Sequence, residues 1–381
     1  MNRNLESAWI DISRAALRHN FGAVKSLVGP NVQAIAVVKA NAFGHGAGEA
    51  ARTFQDAGAD FFAVTTPAEA IELREAGITG RILVFLPPLP EQIEAFYIHN
   101  LEATVTDENQ LVPLAQPILC GNHSAKKDFV PLPVHLKIDT GMGRLGVLPT
   151  DALELAGNLS CKIGLRFAGT YTHFARALEK DEAATCKQFA VFLSLLDEMK
   201  KRNIKTGLRH CANSAALVRF PEMRLDAVRP GTILYGQYPS AAVPRELKLE
   251  ETWRMSARIV SVRELPPGSP LGYGGEFVTR RASKIAVLPV GYADGFTTAP
   301  QSASKGLRGL RQLLKPAPVT VTVHGKRAPV VGRVAMQTCL IDVTDIADVL
   351  VGDTVIVPVR RLMASARLPH FFTEQFDELS P

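Results

Sequence analysis

The chain has 381 residues, 46% of them hydrophobic and 21% charged, with a formal net charge of +6. That length exceeds one typical core, so two domains are expected, and so modest a charge, with no basic stripe interleaved with aromatics, gives no support to a nucleic-acid partner. No apolar run reaches the roughly 18 residues that span a membrane, and residues 1–6 show no apolar leader behind a basic start; both point to the cytoplasm and away from a membrane.

In chain order, Ser7–Ile12 reads as a strand that pairs with the later domain. Eight short apolar runs follow: Gln33–Val38, Phe61–Thr65, Arg81–Leu86, Leu101–Val105, Val134–Asp139, Leu165–Tyr171, Thr206–Cys211 and Leu225–Val228. Helical spacing separates them over Ala47–Ala57, Pro67–Gly77 and Asp181–Arg202. The second of these begins with Pro, carries acids early and ends in Gly, which are helix start and stop signals. Strands alternating with helices give parallel βαβ units. Eight of them predict an α/β fold, a (β/α)8 TIM-like barrel, over residues 13–240. The alternative, an open doubly wound sheet, lacks its dinucleotide fingerprint, because Gly44-His45-Gly46-Ala47-Gly48 fits only in part.

Beyond residue 240 the pattern changes to short strands at Arg258–Val262, Ile285–Val290, Val319–Val323, Leu340–Val343 and Val355–Val359. This predicts a mostly β C-terminal domain over 241–381, joined by strand 7–12. A basic stretch, Pro300–Pro316 with Lys305, Arg308, Arg311 and Lys315, reads as a solvated excursion. Cys120, Cys161, Cys186, Cys211 and Cys339 are scattered and form no CxxC pair. They read as reduced thiols, with no disulfide framework and no metal site.

Barrel active sites form at the C-terminal ends of the strands. Lys39 ends the first strand, Lys137 and Asp139 the fifth, and Tyr171 and His173 the sixth. Asn213-Ser214 follows the seventh, and Arg229-Pro230-Gly231-Thr232 the eighth. A lysine at the end of a buried strand is desolvated, which lowers its pKa and frees its amine as a nucleophile. Glycine and hydroxyl residues after the last two strands suit a phosphate. A phosphate-bearing ligand beside such a lysine suggests Schiff-base chemistry with pyridoxal 5'-phosphate, although a Schiff-base aldolase would carry the same ingredients.

The stretch Val38-Lys39-Ala40-Asn41-Ala42-Phe43-Gly44-His45-Gly46 resembles the cofactor-attachment motif of alanine racemases. So do His135–Gly146, Tyr171–Ala175, Ala212–Ala216, Val228–Gly231, Leu234–Gly236, Gly272–Gly274 and Pro289–Gly295. The resemblance runs from Trp9 to about Asp353, in the family's order. It implies a pyridoxal-phosphate enzyme that interconverts L- and D-alanine and supplies D-alanine for peptidoglycan. It implies a head-to-tail homodimer with shared active sites. It gives Lys39 the roles of cofactor lysine and base on one substrate face, and Tyr273, from the partner subunit, that of base on the other. Around the cofactor it places Arg144, His173, Asn213, Ser214, Arg229, Gly231 and Thr232. Around the substrate it places Arg144, Tyr292 and Met336. Lys137 matches a lysine that many members carry as a carbamate, able to hold Arg144; the alternative is an unmodified Lys137 paired with Asp139.

Three positions depart from the family. Phe43 stands where Tyr is usual, Met363–His370 lacks a late phosphate-contacting Tyr, and Gln337 replaces an acid near the substrate entrance. Phosphate binding then leans on Ser214, Gly231, Thr232 and the neighbourhood of Tyr235. Two other classes compete. A decarboxylase of the same fold type would set an acid, not Arg229, against the pyridine nitrogen. A non-catalytic carrier of the cofactor would lack the second domain. Racemisation of serine or a broader set of amino acids also stays open, since a methylene or hydroxyl is worth only a few kcal/mol in a pocket.

Overall fold

The structure, a computed structural model, describes residues 2–119, 130–298 and 319–376. Cys120 and the basic stretch with Lys305, Arg308, Arg311 and Lys315 lie outside the described residues. The chain divides into two units, Met1–Arg14 with Thr252–Pro381, and Ala15–Glu251.

Strand β1 (Ala8–Ser13) belongs to the first unit and leads directly into a helix, Arg14–Val28. The barrel unit opens with β2, whose halves Gln33–Ala34 and Ala36–Val37 are interrupted at Ile35. It continues with β3 (Phe61–Val64), β4 (Arg81–Val84), β5 (Ala103–Val105) and β6 (Leu132–Lys137). The last three are β7 (Leu165–Tyr171), β8 (Leu208–Asn213) and β9 (Ala227–Arg229). Every neighbouring pair is parallel, and β9 returns to β2 through Ala227↔Gln33 and Val228↔Ala34, which closes the ring. Between β4 and β5 the ladder narrows to one bridge, Leu83↔Glu102. All residues of β3 and β6 are buried, as expected where helices cover the outer face and side chains fill the interior.

The expected helices appear at Ala47–Asp56, Pro67–Glu75 and Ala183–Lys201. Several strand ends differ from expectation. Strands β8 and β9 run past apolar residues into Asn213 and Arg229, which pair with each other in the ladder. Backbone pairing with a neighbour extends a strand through polar residues that propensity alone would stop. Strand β6 ends two residues earlier than expected, at Lys137. There Asp139 turns the chain, its Oδ1 accepting the N–H groups of Gly141 (2.9 Å), Met142 (2.7 Å) and Gly143 (3.1 Å).

The first unit is mostly β. Its strands are β1, β10 (Trp253–Arg258), β11 (Ser261–Leu265), β12 (Ser283–Leu288), β13 (Thr320–Val323), β14 (Lys326–Val331), β15 (Cys339–Asp342), β16 (Thr354–Val357) and β17 (His370–Thr373). They form one sheet in the order β11-β12-β15-β14-β13-β16-β10-β1-β17. Strand β1 pairs antiparallel with β10 and parallel with β17, so Ser7–Ile12 does join the later sheet. Buried Asp11 fixes this seam by accepting from Trp9 Nε1 (2.8 Å) and Ser256 Oγ (2.8 Å).

The run Arg258–Val262, expected as one strand, is instead a corner. The Ile259 N–H goes to Asp353 O and the Val260 N–H to Val287 O, so the β-branched pair bridges two different strands. Strand β14 escaped the sequence reading because Lys326, Arg327 and Pro329 interrupt its apolar pattern. Among the described residues no helix is long and apolar enough to cross a membrane.

Candidate active site

The turn after β2 is the least ordinary backbone in the barrel. Ala40, Asn41, Ala42 and Phe43 all have φ between 52 and 54°, a left-handed turn without a glycine. Such a conformation costs L-residues about 1–2 kcal/mol each. Specific bonds offset it. The Ala40 N–H donates to Glu69 Oε1 (2.7 Å), and the Ala47 N–H to Asn41 Oδ1 (2.7 Å). The other oxygen of Glu69 accepts from the N–H groups of Thr65 (2.7 Å) and Thr66 (3.1 Å), beyond β3. Glu69 therefore ties together the loops that follow β2 and β3. This turn launches Lys39, whose ammonium pKa is lowered by burial first and by Arg144 second, against an opposing pull from Glu69.

Lys39 opens into a cavity of about 520 Å³ at the C-terminal ends of the strands. Among the described residues four cationic side chains line it, Lys39, Lys137, Arg144 and Arg229, and no carboxylate does. The size falls within the range of small-molecule sites, and the charge selects an anionic ligand. Burial, then Arg229 and Arg144, push the Lys137 amine down to about 8. Asp139 opposes that shift only in part, its carboxylate accepting the backbone N–H groups of Gly141, Met142, Gly143 and Arg144 (3.1 Å to Oδ2). The described contacts include no Lys137–Asp139 ion pair, the arrangement given above as the alternative to a carbamate.

Arg229 is buried and held from several sides. Nη1 donates to His210 Nδ1 (2.6 Å) and O (2.9 Å), and Nη2 to Thr172 O (2.6 Å) and Cys211 O (3.1 Å). His173 Nδ1 lies 3.4 Å from Nη2. Burial and the surrounding cations push the His173 pKa down to about 3, so the imidazole is neutral. The positive potential of this wall therefore comes from Arg229 and Arg144, not from His173. Cys211 is fully buried and donates to Met223 O, as suits a packing residue.

At the other end, Asn213 caps the helix Ser214–Arg219, its Oδ1 accepting from Ala215 and Ala216 N–H (3.1 Å each). Asn213 thus serves by presenting Ser214. The Ser214 Oγ accepts from the Gly231 N–H (2.8 Å), and Thr232 starts the next helical turn beside it. A Cβ at Gly231 would press on the Phe43 ring at 3.0 Å, so a side chain there would force the ring to give way. The Tyr235 hydroxyl is spent on Val37 O (3.0 Å), so that tyrosine braces the turn and offers nothing to a phosphate. A strand-end amine, the Ser214 and Thr232 hydroxyls and a carboxylate-free cationic wall fit pyridoxal 5'-phosphate by the chemistry of the donor set.

The described residues that line the cavity belong to the barrel unit. Tyr273, Tyr292 and Met336 belong to the first unit, where they are 68%, 50% and 58% exposed. Tyr273 stands on a short turn with Gly272, Gly274 and Gly275 at φ 60–71°. Tyr292 and Met336 lie on neighbouring backbones, with Tyr292 N–H to Ala335 O (3.1 Å) and Ala293 N–H to Met336 O (3.0 Å). Gln337 is exposed beside them.

Sequence reasoning missed Glu69 and a set of polar groups inside the barrel: Glu102, His135 and His210. His135 had a usable signal, because it shares the phase of Lys137 along β6 and so points to the same side. Glu102 had a weaker one, as the lone acid in the expected strand Leu101–Val105, which the structure begins at Ala103.

The family described as "Alanine racemase, N-terminal domain" matches residues 12–239, and "Alanine racemase, C-terminal domain" matches 252–366. The chain is 41% identical over 353 residues to alanine racemase 1 of Caldanaerobacter subterraneus subsp. tengcongensis, covering 91% of this chain and 84% of that protein. It is 38% identical over 354 residues to the alanine racemase of Methanococcus maripaludis, covering 92% and 88%. Among solved structures, the alanine racemase of Clostridium difficile 630 superposes with a TM-score of 0.86 at 28% identity, covering 97% of both chains.

Proposed function

The chain belongs to the alanine racemase family, a pyridoxal-phosphate-dependent racemase of alanine, and from that premise we propose how its residues divide the reaction. The observation that carries the division is the cavity wall, four cations and no carboxylate around the strand-end amine of Lys39. When bound, pyridoxal phosphate supplies an aldehyde that condenses with amines and a ring that accepts the electron pair left when Cα–H breaks.

Lys39 holds the cofactor and takes or returns the Cα proton on one face. Its lowered pKa leaves more of the amine neutral and able to accept that proton. Ser214, Gly231 and Thr232 hold the phosphate, with Asn213 behind them. Arg229, which lines the cavity, would meet the ring nitrogen as a hydrogen-bond donor that does not readily release its proton. That restrains the ring as an electron sink and disfavours decarboxylation and transamination. His173, held neutral, packs against Arg229 without adding charge. Arg144 receives the substrate carboxylate.

Tyr273, from a second copy of the chain, serves as base on the other face, and Tyr292 and Met336 narrow the pocket to a small side chain. Two opposed bases spare one group from crossing the plane of the reacting carbon. We assign a homodimer with shared sites in the cytoplasm, making D-alanine for peptidoglycan. Lys137 is carbamylated in this reading: an amine lowered to about 8 keeps a neutral fraction at physiological pH that an ordinary lysine lacks, and that fraction can add carbon dioxide, releasing a proton and turning a repelling cation into a partner for Arg144. A carbonyl resonance from ¹³C-labelled bicarbonate, lost in Lys137→Ala, checks it.

The test of the function is purified protein with a panel of L-amino acids, followed by optical rotation and by release of keto acid and carbon dioxide. Loss of rotation with alanine, without either product, supports racemisation. Carbon dioxide release would sink it, and equal rates with serine would widen the substrate.

A further inference from the structure

Every acceptor around buried Arg229 is neutral among its described contacts: three carbonyls and two imidazoles. A buried cation without a carboxylate is expensive unless each N–H is well satisfied. Its strongest side-chain contact, to His210 at 2.6 Å, opens a hydrogen-bonded line through the barrel interior. His210 Nε2 meets His135 Nδ1 at 3.1 Å, and His135 Nε2 meets Glu102 Oε2 at 2.7 Å. Arg81 clamps Glu102 from outside, Nε to Oε1 at 2.6 Å and Nη2 to Oε2 at 2.9 Å. Arg81 and Glu102 lie at the start of β4 and just before β5, and Arg229 at the end of β9, so the line joins the two ends of the barrel.

The line has one direction. A guanidinium has only donors, so His210 Nδ1 must accept and its proton must sit on Nε2. His135 Nδ1 must then accept, which puts its proton on Nε2 as well. Only an acceptor can close the end, and the Glu102 carboxylate is one; His135 and Arg81 hold its pKa down to about 2 against burial. Both histidines are fully buried and held neutral by desolvation. The packing is made for this arrangement. A Cβ at Gly169 would collide with His135 Nδ1, and Tyr171 stacks on His210 at 4.8 Å and 6°.

We infer that Glu102 is a positioning residue for Arg229: by fixing the proton of His135 and then of His210 on Nε2, it holds the guanidinium in one orientation at the cavity wall. If Glu102 presented a donor, both tautomers would flip. His210 Nδ1–H would then oppose the Arg229 N–H, and the guanidinium would have to turn. The inference rests on the role given to Arg229 above, but its primary readout is the histidine tautomer, which succeeds or fails independently of racemisation.

The test uses cofactor-loaded protein with ring-¹⁵N-labelled histidine. The His210 signals are assigned by their loss in His210→Gln. In the unmodified chain, His135 and His210 should both carry the proton on Nε2; a proton on Nδ1 of either, or on both nitrogens, overturns the inference without any variant. In Glu102→Gln, His210 should gain an Nδ1–H population and the cofactor's visible band should move. By analogy with outer-shell partners of other active-site groups, kcat should fall about 10–100-fold. KM for alanine should change less than about twofold, as for an effect on the chemical step alone. A folded Glu102→Gln with a lower Tm but an unchanged His210 tautomer and visible band would make Glu102 merely structural and sink the idea.

Discussion

Lys39 and Tyr273 stand on turns built from opposite materials. The Lys39 turn forces four residues with side chains into left-handed backbone, then holds them with Glu69, Asn41 and the Phe43–Tyr235 ring contact at 4.9 Å. The Tyr273 turn places glycines at its positive-φ positions, where the same backbone costs little, and leaves its tyrosine 68% exposed. The first turn is over-determined and desolvated. The second is cheap to make and uncovered. Of the two proposed bases, one stands on a turn finished by its own fold, whereas the other stands on a turn left uncovered, as the proposed dimer requires.

The largest break in that contrast is Lys39→Ala. Racemisation should fall by more than about 10⁴-fold, since base and cofactor anchor go together. Turnover and the cofactor's visible absorbance report both losses. Tyr273→Phe should cost about 10²–10⁴-fold in turnover as a lost general base. It should leave the cofactor absorbance intact, because the lysine's turn is untouched. Parallel loss of both signals would mean that Tyr273 helps to hold the cofactor.

Acid should probe the buried line behind Arg229, on the barrel side of the contrast, through stability. The folded Glu102 pKa of about 2 lies below the ordinary 4.5, so its contribution is complete above pH 4.5 and is lost as pH falls toward 2. His135 and His210, held neutral, work in the same direction as pH falls through 6.5. Thermal melts of Glu102→Gln should therefore show a flatter dependence between pH 4.5 and 2. A smaller effect should follow from Glu69→Gln. Disrupted bonds to Ala40, Thr65 and Thr66 N–H should cost about 1–3 kcal/mol of stability by denaturant titration. The smallest is Phe43→Tyr, expected to tighten cofactor binding by one hydrogen bond, about 0.5–1.5 kcal/mol. Equal affinity by equilibrium dialysis would mean that Ser214, Thr232 and the backbone suffice.

Much of this was legible in the chain, and the misses have a common physics. The βα alternation of the barrel and the strand-end position of Lys39 follow from local periodicity. Long motifs such as His135–Gly146 carried the family. Strand ends failed at Asn213 and Arg229 because pairing with a neighbour, not local propensity, extends them. Ile259-Val260 looked like strand interior because apolar content cannot reveal that adjacent N–H groups serve different partners. The left-handed turn was invisible, since alanine and phenylalanine avoid that backbone unless tertiary contacts force it. The line from Arg81 through Glu102 to Arg229 draws on five strands or their ends that meet only when the barrel closes, so no window of sequence contains it.

That closure has a consequence for how the molecule is made. The seam of the ring runs through the cavity, where β2 meets β9 through Gln33 N–H to Asp226 O, Ile35 N–H to Val228 O and Val37 N–H to Pro230 O. Tyr235 reinforces it across 198 residues of chain. Contacts so distant are slow to form, because loop-closure entropy must be overcome before they contribute. Lys39 lies just past one side of the seam, with Arg229, Gly231 and Thr232 on the other. During refolding, helical circular dichroism should therefore recover first. Capture of the cofactor should lag behind it, as the clock for the last event of folding.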